Sequence, residues 1–272
     1  MCSVGPGSYT AARYSFVACI LGVLLAVSQT ARAADESPAK IAAAPTSSQL
    51  NESLVIGFMG GFVSRNADHH AEVKLLQSLR EEYPRNVYFS MYENRRQREA
   101  YAMICEHLDL NHDGQLSDAE KSRAHILLFG HSWGASAVVA LARRLNREGI
   151  PVALTVQVDS VAKPFRNDSL IPANVSQAVN FYQTRGWVHG RSKIIAADPG
   201  RTKILGNFRF DYKDAPAEFR SYPWMARRFM KGHIEIESDP QLWSQIESLL
   251  RSQLPSAAPR ESTTEQSLSA LR

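Results

Sequence analysis

The stretch HILLFGHSWG, residues 125–134, decides how this chain is expected to fold. Its first five residues are mainly apolar and predict a buried strand, while the amphipathic stretch from Ala135 to Arg147 predicts a helix. Between them, Gly130 and Gly134 leave room for the strand and the helix to pack closely around a sharp turn. We therefore expect the hydroxyl of Ser132 to stand exposed at the end of a strand, on a strained backbone.

Predicted strands and helices alternate along the rest of the chain. Short runs of β-branched and aromatic residues predict strands, and apolar residues at helical spacing predict helices. The predicted strands are Leu54 to Phe58, Val87 to Tyr92, His125 to Phe129, Val152 to Val158, Ala178 to Thr184 and Lys203 to Tyr212; the predicted helices are Ala71 to Glu82, Arg95 to Leu108, Ala135 to Arg147 and a closing helix from Asp239 or Pro240 to Leu250. This alternation predicts an α/β fold with a mostly parallel central sheet and helices on both faces.

Residues 1–33 have the features of a secretory signal peptide. Arg13 precedes the apolar run from Phe16 to Val27, and Ala31 and Ala33 are the small residues that a signal peptidase recognises. The run is shorter than the roughly 20 residues that a membrane-spanning helix needs. We expect cleavage after Ala33 and a secreted or periplasmic protein without a stable membrane span; an uncleaved membrane anchor is the alternative.

Three segments follow the signal peptide. Residues 34–53 predict a flexible leader, residues 54–255 one globular domain, and residues 256–272 a disordered tail. Without Arg13 and Arg32 the chain keeps 29 of its 31 Lys and Arg residues against 27 Asp and Glu, a net charge of about +2. A charge this small gives no reason to expect a nucleic-acid partner. Only Cys105 remains after cleavage, which excludes an internal disulfide.

A serine becomes a nucleophile only beside a base, and that base needs a partner that fixes its tautomer. Asp159 follows directly on the fourth predicted strand, and catalytic groups in open α/β sheets lie at such carboxyl ends. His233 comes late in the chain, before the closing helix, and is the candidate base. The alternatives are Asp198 for the acid and His189 for the base. Asp198 begins an Asp-Pro-Gly sequence that is also typical of an ordinary turn.

These motifs resemble the lipase and esterase branch of the α/β-hydrolase superfamily. The resemblance covers Leu54 to Leu250, and its most specific part is the turn around Ser132. Residues 158–161, Val-Asp-Ser-Val, are similar to the segment that carries the acid in pancreatic-type lipases, and residues 233–240 resemble the loop that carries the family's histidine. The resemblance implies that Ser132 is the nucleophile, Asp159 the orienting acid and His233 the general base. His131, beside the serine, is expected to be structural.

The same resemblance assigns the oxyanion hole, which needs two backbone N–H groups. One belongs to Trp133, the residue after the nucleophile. The other is expected from the glycine-rich loop after the first strand, at Phe58, with Met59 next. The chain departs from the family here, because Ile56-Gly57 stands where a His-Gly pair is usual.

Residues 109–120 fit the twelve-residue calcium loop of an EF-hand. Oxygen-bearing side chains occupy positions one, three, five and nine, glycine occupies position six and glutamate position twelve, as Ca²⁺ requires. The expected ligands are Asp109, Asn111, Asp113, Gln115 through its backbone carbonyl, Ser117 and Glu120. The alternative is a polar helix–turn–helix without an ion, because only one such loop is present.

The place of this loop in the chain indicates what calcium would do. The helix before it returns to the amino end of the next strand, so the loop is expected at the edge of the sheet opposite Ser132. We expect the ion to tie that helix to the central strand and stabilise the fold. Asp68, His69 and His70 also suggest a metal site, but they are predicted to form a solvated loop because no further ligands recur at a useful spacing.

The sequence therefore predicts a secreted serine hydrolase that cleaves carboxylic esters of a small molecule or a lipid through an acyl-enzyme. Thioesterase or amidase activity needs the same residues and stays open. A non-catalytic calcium-binding module on the same fold is the alternative of a different class. The aromatic residues between 160 and 232, such as Trp187 and Trp224, either border an acyl pocket or belong to the core.

Overall fold

A sheet of six parallel strands forms the centre of the computed structural model, which describes residues 53–83, 87–163 and 166–256. In chain order the strands are β1 (Ser53–Met59), β2 (Val87–Glu93), β3 (His125–His131), β4 (Val152–Val158), β5 (Leu170–Ile171), β6 (Val175–Tyr182), β7 (Ile195–Ala196) and β8 (Lys203–Arg209). The large sheet has the order β2-β1-β3-β4-β6-β8, and β5 pairs with β7 separately. Because all these pairs are parallel, the carboxyl ends of the strands lie at a common edge, where Ser132 directly follows β3.

Seven α-helices and one short 3-10 helix (Ala217–Ser221) connect the strands in the described part of the chain. They are α1 (Ala71–Glu82), α2 (Gln97–Leu108), α3 (Asp118–Ser122), α4 (Trp133–Arg147), α5 (Trp224–Phe229), α6 (Lys231–Glu237) and α7 (Pro240–Ser252). The start of α7 is fixed by Asp239, whose carboxylate accepts the backbone N–H of Gln241 at 2.9 Å and of Leu242 at 3.3 Å. Pro240 suits the first helical position, where no N–H is needed.

Successive residues of each central strand face opposite sides of the sheet, so both faces carry a core. On one side, Ile56 and Leu128 pack with α2 and α4. On the other, Val55 and Leu127 pack with α1 and α7. Strands buried on both faces need the nearly continuous apolar runs that the sequence has. The predicted fold class is confirmed: the protein has an α/β fold, with a parallel central sheet covered by helices on both faces.

The structure corrects one element that bears on the site. Residues 233–240 were expected to be a loop, but Lys231–Glu237 form helix α6. The alternation His-Ile-Glu-Ile-Glu is not a helical pattern, and the helix forms because tertiary packing overrides it: Ile236 lies in the core beside α1 and α7. The strand expected at 178–184 begins earlier, at Val175, and the one expected at 203–212 ends at Arg209.

The predicted signal peptide, most of the leader and most of the tail lie outside the described residues, and the domain boundaries stay predictions. Within residues 53–83, 87–163 and 166–256, no helix has the length and apolar character to cross a bilayer.

Candidate active site

Ser132 occupies a strained turn between β3 and α4. Its backbone has φ 57° and ψ −125°, a left-handed φ that a serine adopts only when the surroundings impose it. Its N–H donates to the carbonyl of Val158 at 2.9 Å, which ties the turn to the end of β4. A Cβ on Gly134 would lie 2.0 Å from the carbonyl oxygen of Phe58, and one on Gly130 would lie 2.7 Å from the backbone of Gly134. Both glycines are therefore needed for the close crossing of β1, β3 and α4.

Asp159 follows β4 directly and is fully buried beside this turn. Its carboxylate accepts the backbone N–H of Gly190 at 2.7 Å and the side-chain amide of Gln183 at 2.8 Å. It also contacts Nδ1 of His233 at 2.6 Å. Burial by itself raises the pKa of Asp159, but the hydrogen bonds from His233, Gln183 and Gly190 outweigh burial and hold the pKa below its ordinary value. The carboxylate is therefore charged and fixed in place.

His233 lies on α6 and is buried beside the segments that carry Asp159 and Ser132. Its ring stacks on that of His131 with centroids 4.4 Å apart, and His131 directly precedes Ser132. Gly232 lets α6 pack closely against Gln183, since a Cβ at this position would lie 2.4 Å from the Gln183 side chain. The His233 ring contacts His131, the residue before Ser132, and no hydrogen bond joins the Ser132 hydroxyl to the His233 imidazole in the described structure. Such bonds are often long in free enzymes and tighten when substrate binds.

The structure separates the alternative acid and base from this site. The Asp198 carboxylate accepts the backbone N–H of Gly200 at 2.9 Å, and its carbonyl accepts that of Thr202, as in an ordinary turn. His189 is exposed, and its ring meets only the carbonyl of Gly190 at 3.4 Å among the described residues. Of the two candidate bases, His233 is the one that contacts a buried carboxylate, and that carboxylate is Asp159.

The backbone expected to form the oxyanion hole lies beside Ser132. Trp133 is the first residue of α4, where N–H groups have no partner within the helix. Phe58 lies inside β1, in register with both Tyr92 and Gly130, whereas Met59 is paired only with Glu93 on the β2 side. A Cβ on the following residue, Gly60, would lie 3.2 Å from that of Ser132. The backbone from Met59 onwards therefore approaches the serine, and the role of Phe58 stays a prediction.

Asn94 and Lys163 hold this glycine-rich turn in place, and the sequence did not single them out. The amide of Asn94 donates to the carbonyl of Gly61, and Lys163 Nζ donates to Asn94 Oδ1 at 2.6 Å. The ammonium also lies 5.4 Å from the ring centre of Trp133. Asn94 follows β2 and Lys163 follows β4. Their interaction could not be predicted from the sequence without knowing that the ends of these two strands lie close together.

Large apolar side chains are exposed around the same edge of the sheet. Phe62 is 87% exposed and its ring meets that of Trp133 at 5.3 Å, edge to face. Trp187, after β6, is 96% exposed, and Trp224 and Phe229 on α5 are also largely exposed. Exposed apolar groups concentrated at one edge of a protein are typical of a binding surface. These aromatic residues therefore belong to the surroundings of the site and not to the core.

Four buried titratable residues lie close together, and one of them, His131, directly precedes Ser132; we call His70, Glu72, His131 and Glu237 the histidine–glutamate cluster. Burial lowers the pKa of His131 to about 4, so its imidazole is neutral at pH 7. Burial and the nearby charge of Glu237 raise the pKa of Glu72. Burial also raises the pKa of Glu237, but His131 and His70 outweigh it and lower the pKa to about 2. His70, expected in a solvated loop, is buried; His69 and Asp68 are exposed as predicted.

The predicted calcium ligands lie in and beside the loop between α2 and α3, where several of their side chains accept backbone N–H groups of the same loop. Asp109 accepts the N–H of Gly114 at 2.8 Å, Asn111 accepts that of Asp113 at 3.0 Å, and Asp113 accepts that of Gln115 at 2.7 Å. Glu120 accepts the N–H of Leu110 at 3.0 Å, which closes the loop on itself. The Ser117 hydroxyl and backbone hydrogen-bond the Glu120 carboxylate and lower its pKa. The loop leads into the amino end of β3, at the edge of the sheet opposite Ser132.

Comparisons with known proteins identify similar folds only. No family model matches the chain, and no curated protein sequence matches it. The chain is similar to the RedJ thioesterase from the prodiginine biosynthetic pathway in Streptomyces coelicolor, with 12% identity, a TM-score of 0.41 and coverage of 76% of this chain and 87% of that one. It is similar to an acetyl xylan esterase (10%, 0.35, covering 75% and 99%) and to a cutinase-like protein from Cryptococcus sp. (12%, 0.37, covering 78% and 100%). At these values, the functional conclusion has to rest on the site itself.

Proposed function

We propose that this protein is a serine hydrolase that cleaves carboxylic esters through an acyl-enzyme. The observation that carries the proposal is the 2.6 Å contact between Asp159 and His233, both buried beside a serine on a strained strand-to-helix turn. A buried carboxylate and a strained non-glycine backbone both cost stability, and they persist together chiefly at functional sites.

In the proposed reaction each side chain has a role. With Nδ1–H donated to Asp159, the other ring nitrogen of His233 is free to accept the proton of Ser132 as the hydroxyl attacks the ester carbonyl. The oxyanion that forms is stabilised by the N–H of Trp133 and by a second N–H from the backbone after β1, expected at Phe58 with Met59 next. His233 then gives its proton to the leaving alcohol, and water releases the acid by the same steps in reverse order.

The exposed aromatic residues at the catalytic edge favour a substrate with an apolar part. Phe62, Trp187, Trp224 and Phe229 all follow the carboxyl ends of strands, the edge where Ser132 lies. We infer an apolar acyl chain, from a small-molecule ester or a lipid ester, that binds among them. A thioester or amide bond is open to the same chemistry, so the leaving group has to be determined by a substrate series.

Covalent labelling with a fluorophosphonate tests the nucleophile. We expect the purified protein to be labelled once, and Ser132→Ala to lose all labelling and esterase activity. Ser136→Ala is the matched control, because Ser136 is a buried serine one turn further along α4. A folded wild-type protein that is not labelled would instead favour the non-catalytic module. p-Nitrophenyl esters of increasing chain length, with matched thioesters and anilides, then define the bond and the acyl length.

We also propose that residues 109–120 bind a structural Ca²⁺. The supporting observation is the inward hydrogen bonding of Asp109, Asp113 and Glu120, which holds their oxygens around one loop. The ligands would be those predicted from the sequence, and Ca²⁺ would supply no chemistry at Ser132. Calorimetric titration is expected to show one site that Glu120→Gln weakens more than about tenfold. Asp118→Asn, an exposed acid in the same segment, is the control that should bind normally.

We further propose that the mature protein is secreted or periplasmic and begins at Ala34. This rests on the amino-terminal sequence pattern alone. Amino-terminal sequencing of the exported protein tests it. A first residue upstream of the apolar run, in a protein recovered with membranes, would instead support the anchored alternative.

A further inference from the structure

The histidine–glutamate cluster contains a carboxylate that nothing in the described structure satisfies. Glu72 is fully buried, and neither of its oxygens has a hydrogen-bond partner of normal geometry among the described residues. Nε2 of His131, also buried, has none either. A buried carboxyl group without a partner is costly, and such groups in folded proteins commonly indicate an unseen ion or water.

The other members of the cluster surround Glu72 with metal-binding atoms. His70 is the residue before α1, Glu72 lies in its first turn, and Glu237 ends α6. One ligand atom from each of these three residues lies within 4.8 Å of the other two. His131 Nδ1 lies 3.5 Å from a carboxylate oxygen of Glu237 and 3.8 Å from one of Glu72. Ligands at about 2.0–2.2 Å around a tetrahedral ion are about 3.3–3.6 Å apart, close to these separations.

We propose that His70, Glu72 and Glu237 bind a divalent transition-metal ion, for which Zn²⁺ is the best match, with His131 as the fourth ligand. Two carboxylates balance the charge of the ion, and imidazole nitrogens suit zinc rather than calcium, which prefers oxygen alone. The ion gives the partnerless Glu72 carboxylate a ligand bond and replaces the hydrogen bond between His70 and Glu237. It is separate from the calcium loop, which lies at the other edge of the sheet.

The site joins the two elements that carry the proposed nucleophile and base. His131 directly precedes Ser132, and Glu237 lies four residues after His233 on α6. A bound ion therefore holds α6 and the start of α1 against the end of β3. Metal binding itself does not depend on the proposed esterase function, because the metal content is measured without a substrate.

Metal analysis of the untagged, full-length protein tests the site. After exhaustive dialysis, added Zn²⁺ is expected to bind at about one ion per chain at this site, and added Co²⁺ to give the visible absorption of a tetrahedral complex. Glu72→Gln and His70→Gln should weaken Zn²⁺ binding by more than about 100-fold. His69→Gln is the control, because His69 is the exposed neighbour of His70 and lies outside the cluster.

Thermal unfolding is a second test, in case a variant fails to bind metal for a reason other than the loss of a ligand. With Zn²⁺ present, the wild-type Tm should rise by at least about 4 °C and that of Glu72→Gln should not change. The alternative is that the cluster shares a proton and holds no ion. Glu72→Gln then removes an unsatisfied acid and raises the Tm in metal-free buffer, and the wild-type Tm does not change when Zn²⁺ is added. That result, or loss of the ion in His69→Gln but not in Glu72→Gln, overturns the proposal.

Discussion

At the scale of single residues, the site depends on one buried carboxylate. Asp159 accepts hydrogen bonds from the backbone of Gly190 and the amide of Gln183, and contacts the ring of His233. These partners come from three segments that are distant in sequence. Asp159 therefore both orients the proposed base and connects the segments that follow β4 and β6 with α6.

Asp159→Asn should lower kcat by about 10⁴-fold with little change in KM. An amide in place of the carboxylate holds the imidazole in the wrong tautomer and leaves the fold in place. Steady-state kinetics on the best p-nitrophenyl ester measures this. Asp198→Asn, at the turn, should keep full activity; a loss in Asp198→Asn without one in Asp159→Asn would reverse the assignment of the acid.

The same carboxylate should make stability fall in acid. Because the folded-state pKa of Asp159 is below its ordinary value, its ionised form contributes stability above the unfolded pKa of about 3.9, and that contribution is lost as the pH falls through the folded pKa. Urea unfolding at pH 5 and pH 3 should show the advantage of wild type over Asp159→Asn shrinking at pH 3. An equal difference at both pH values would contradict this.

The sequence led to Ser132, Asp159 and His233 through a turn motif, a strand end and a late position in the chain, and the structure brings Asp159 and His233 into contact. The sequence was not sufficient for Glu72 and Glu237. An acid in the first turn of a helix looks the same in sequence whether it faces solvent or the core. His70 was noticed but assigned to solvent, because its partner Glu237 lies 167 positions away.

At the scale of elements, β1, β3 and α4 cross so closely that glycine is required. Gly134→Ala would place a methyl group 2.0 Å from a backbone oxygen that cannot move away. We expect a loss of at least about 3 kcal/mol in the free energy of unfolding, or no folded protein. Tm and urea unfolding measure it.

Gly149→Ala is the matched comparison, because Gly149 has φ +73° and open space around its Cβ position. In Gly149→Ala only backbone strain is expected, with a loss of about 1–2 kcal/mol in the free energy of unfolding. Equal effects of the two substitutions would show that the crossing tolerates more room than the structure indicates.

The segment from α5 to α6 should influence which acyl chains are accepted. Trp224→Ala removes an exposed aromatic residue at the catalytic edge. We expect kcat/KM for an octanoate ester to fall about tenfold, or about 1.4 kcal/mol, and that for an acetate ester to stay within about twofold. Leu110→Ala is the control, because it also removes an exposed apolar side chain, at the opposite edge of the sheet. Equal losses on both esters would indicate a structural role.

These carboxyl-terminal elements are also where prediction from sequence was weakest. The central strands are long apolar runs and were placed within a few residues. The segments β5, β7 and α6 are short and have no clear periodicity, and they form because the sheet and its neighbours provide surfaces for them.

At the scale of the whole molecule, the proposed calcium loop and the proposed nucleophile Ser132 lie at opposite edges of one sheet. Adding Ca²⁺ to calcium-free protein should therefore raise the Tm by several degrees and leave kcat unchanged where the protein stays folded. Glu120→Gln should not respond to Ca²⁺, whereas Glu72→Gln should respond as the wild type does. A kcat that follows calcium occupancy at constant Tm would be inconsistent with a purely structural ion.

The last helix of the domain covers the first. Apolar residues of α1 and α7 share one core, and Ser78 Oγ donates to Glu247 Oε1 at 2.8 Å. During synthesis, α1 therefore emerges long before the surface that shields it, and its apolar face stays open until the ribosome has finished α7. A chain that stops at Asp239 would keep that face open permanently, and we expect chaperones to retain it.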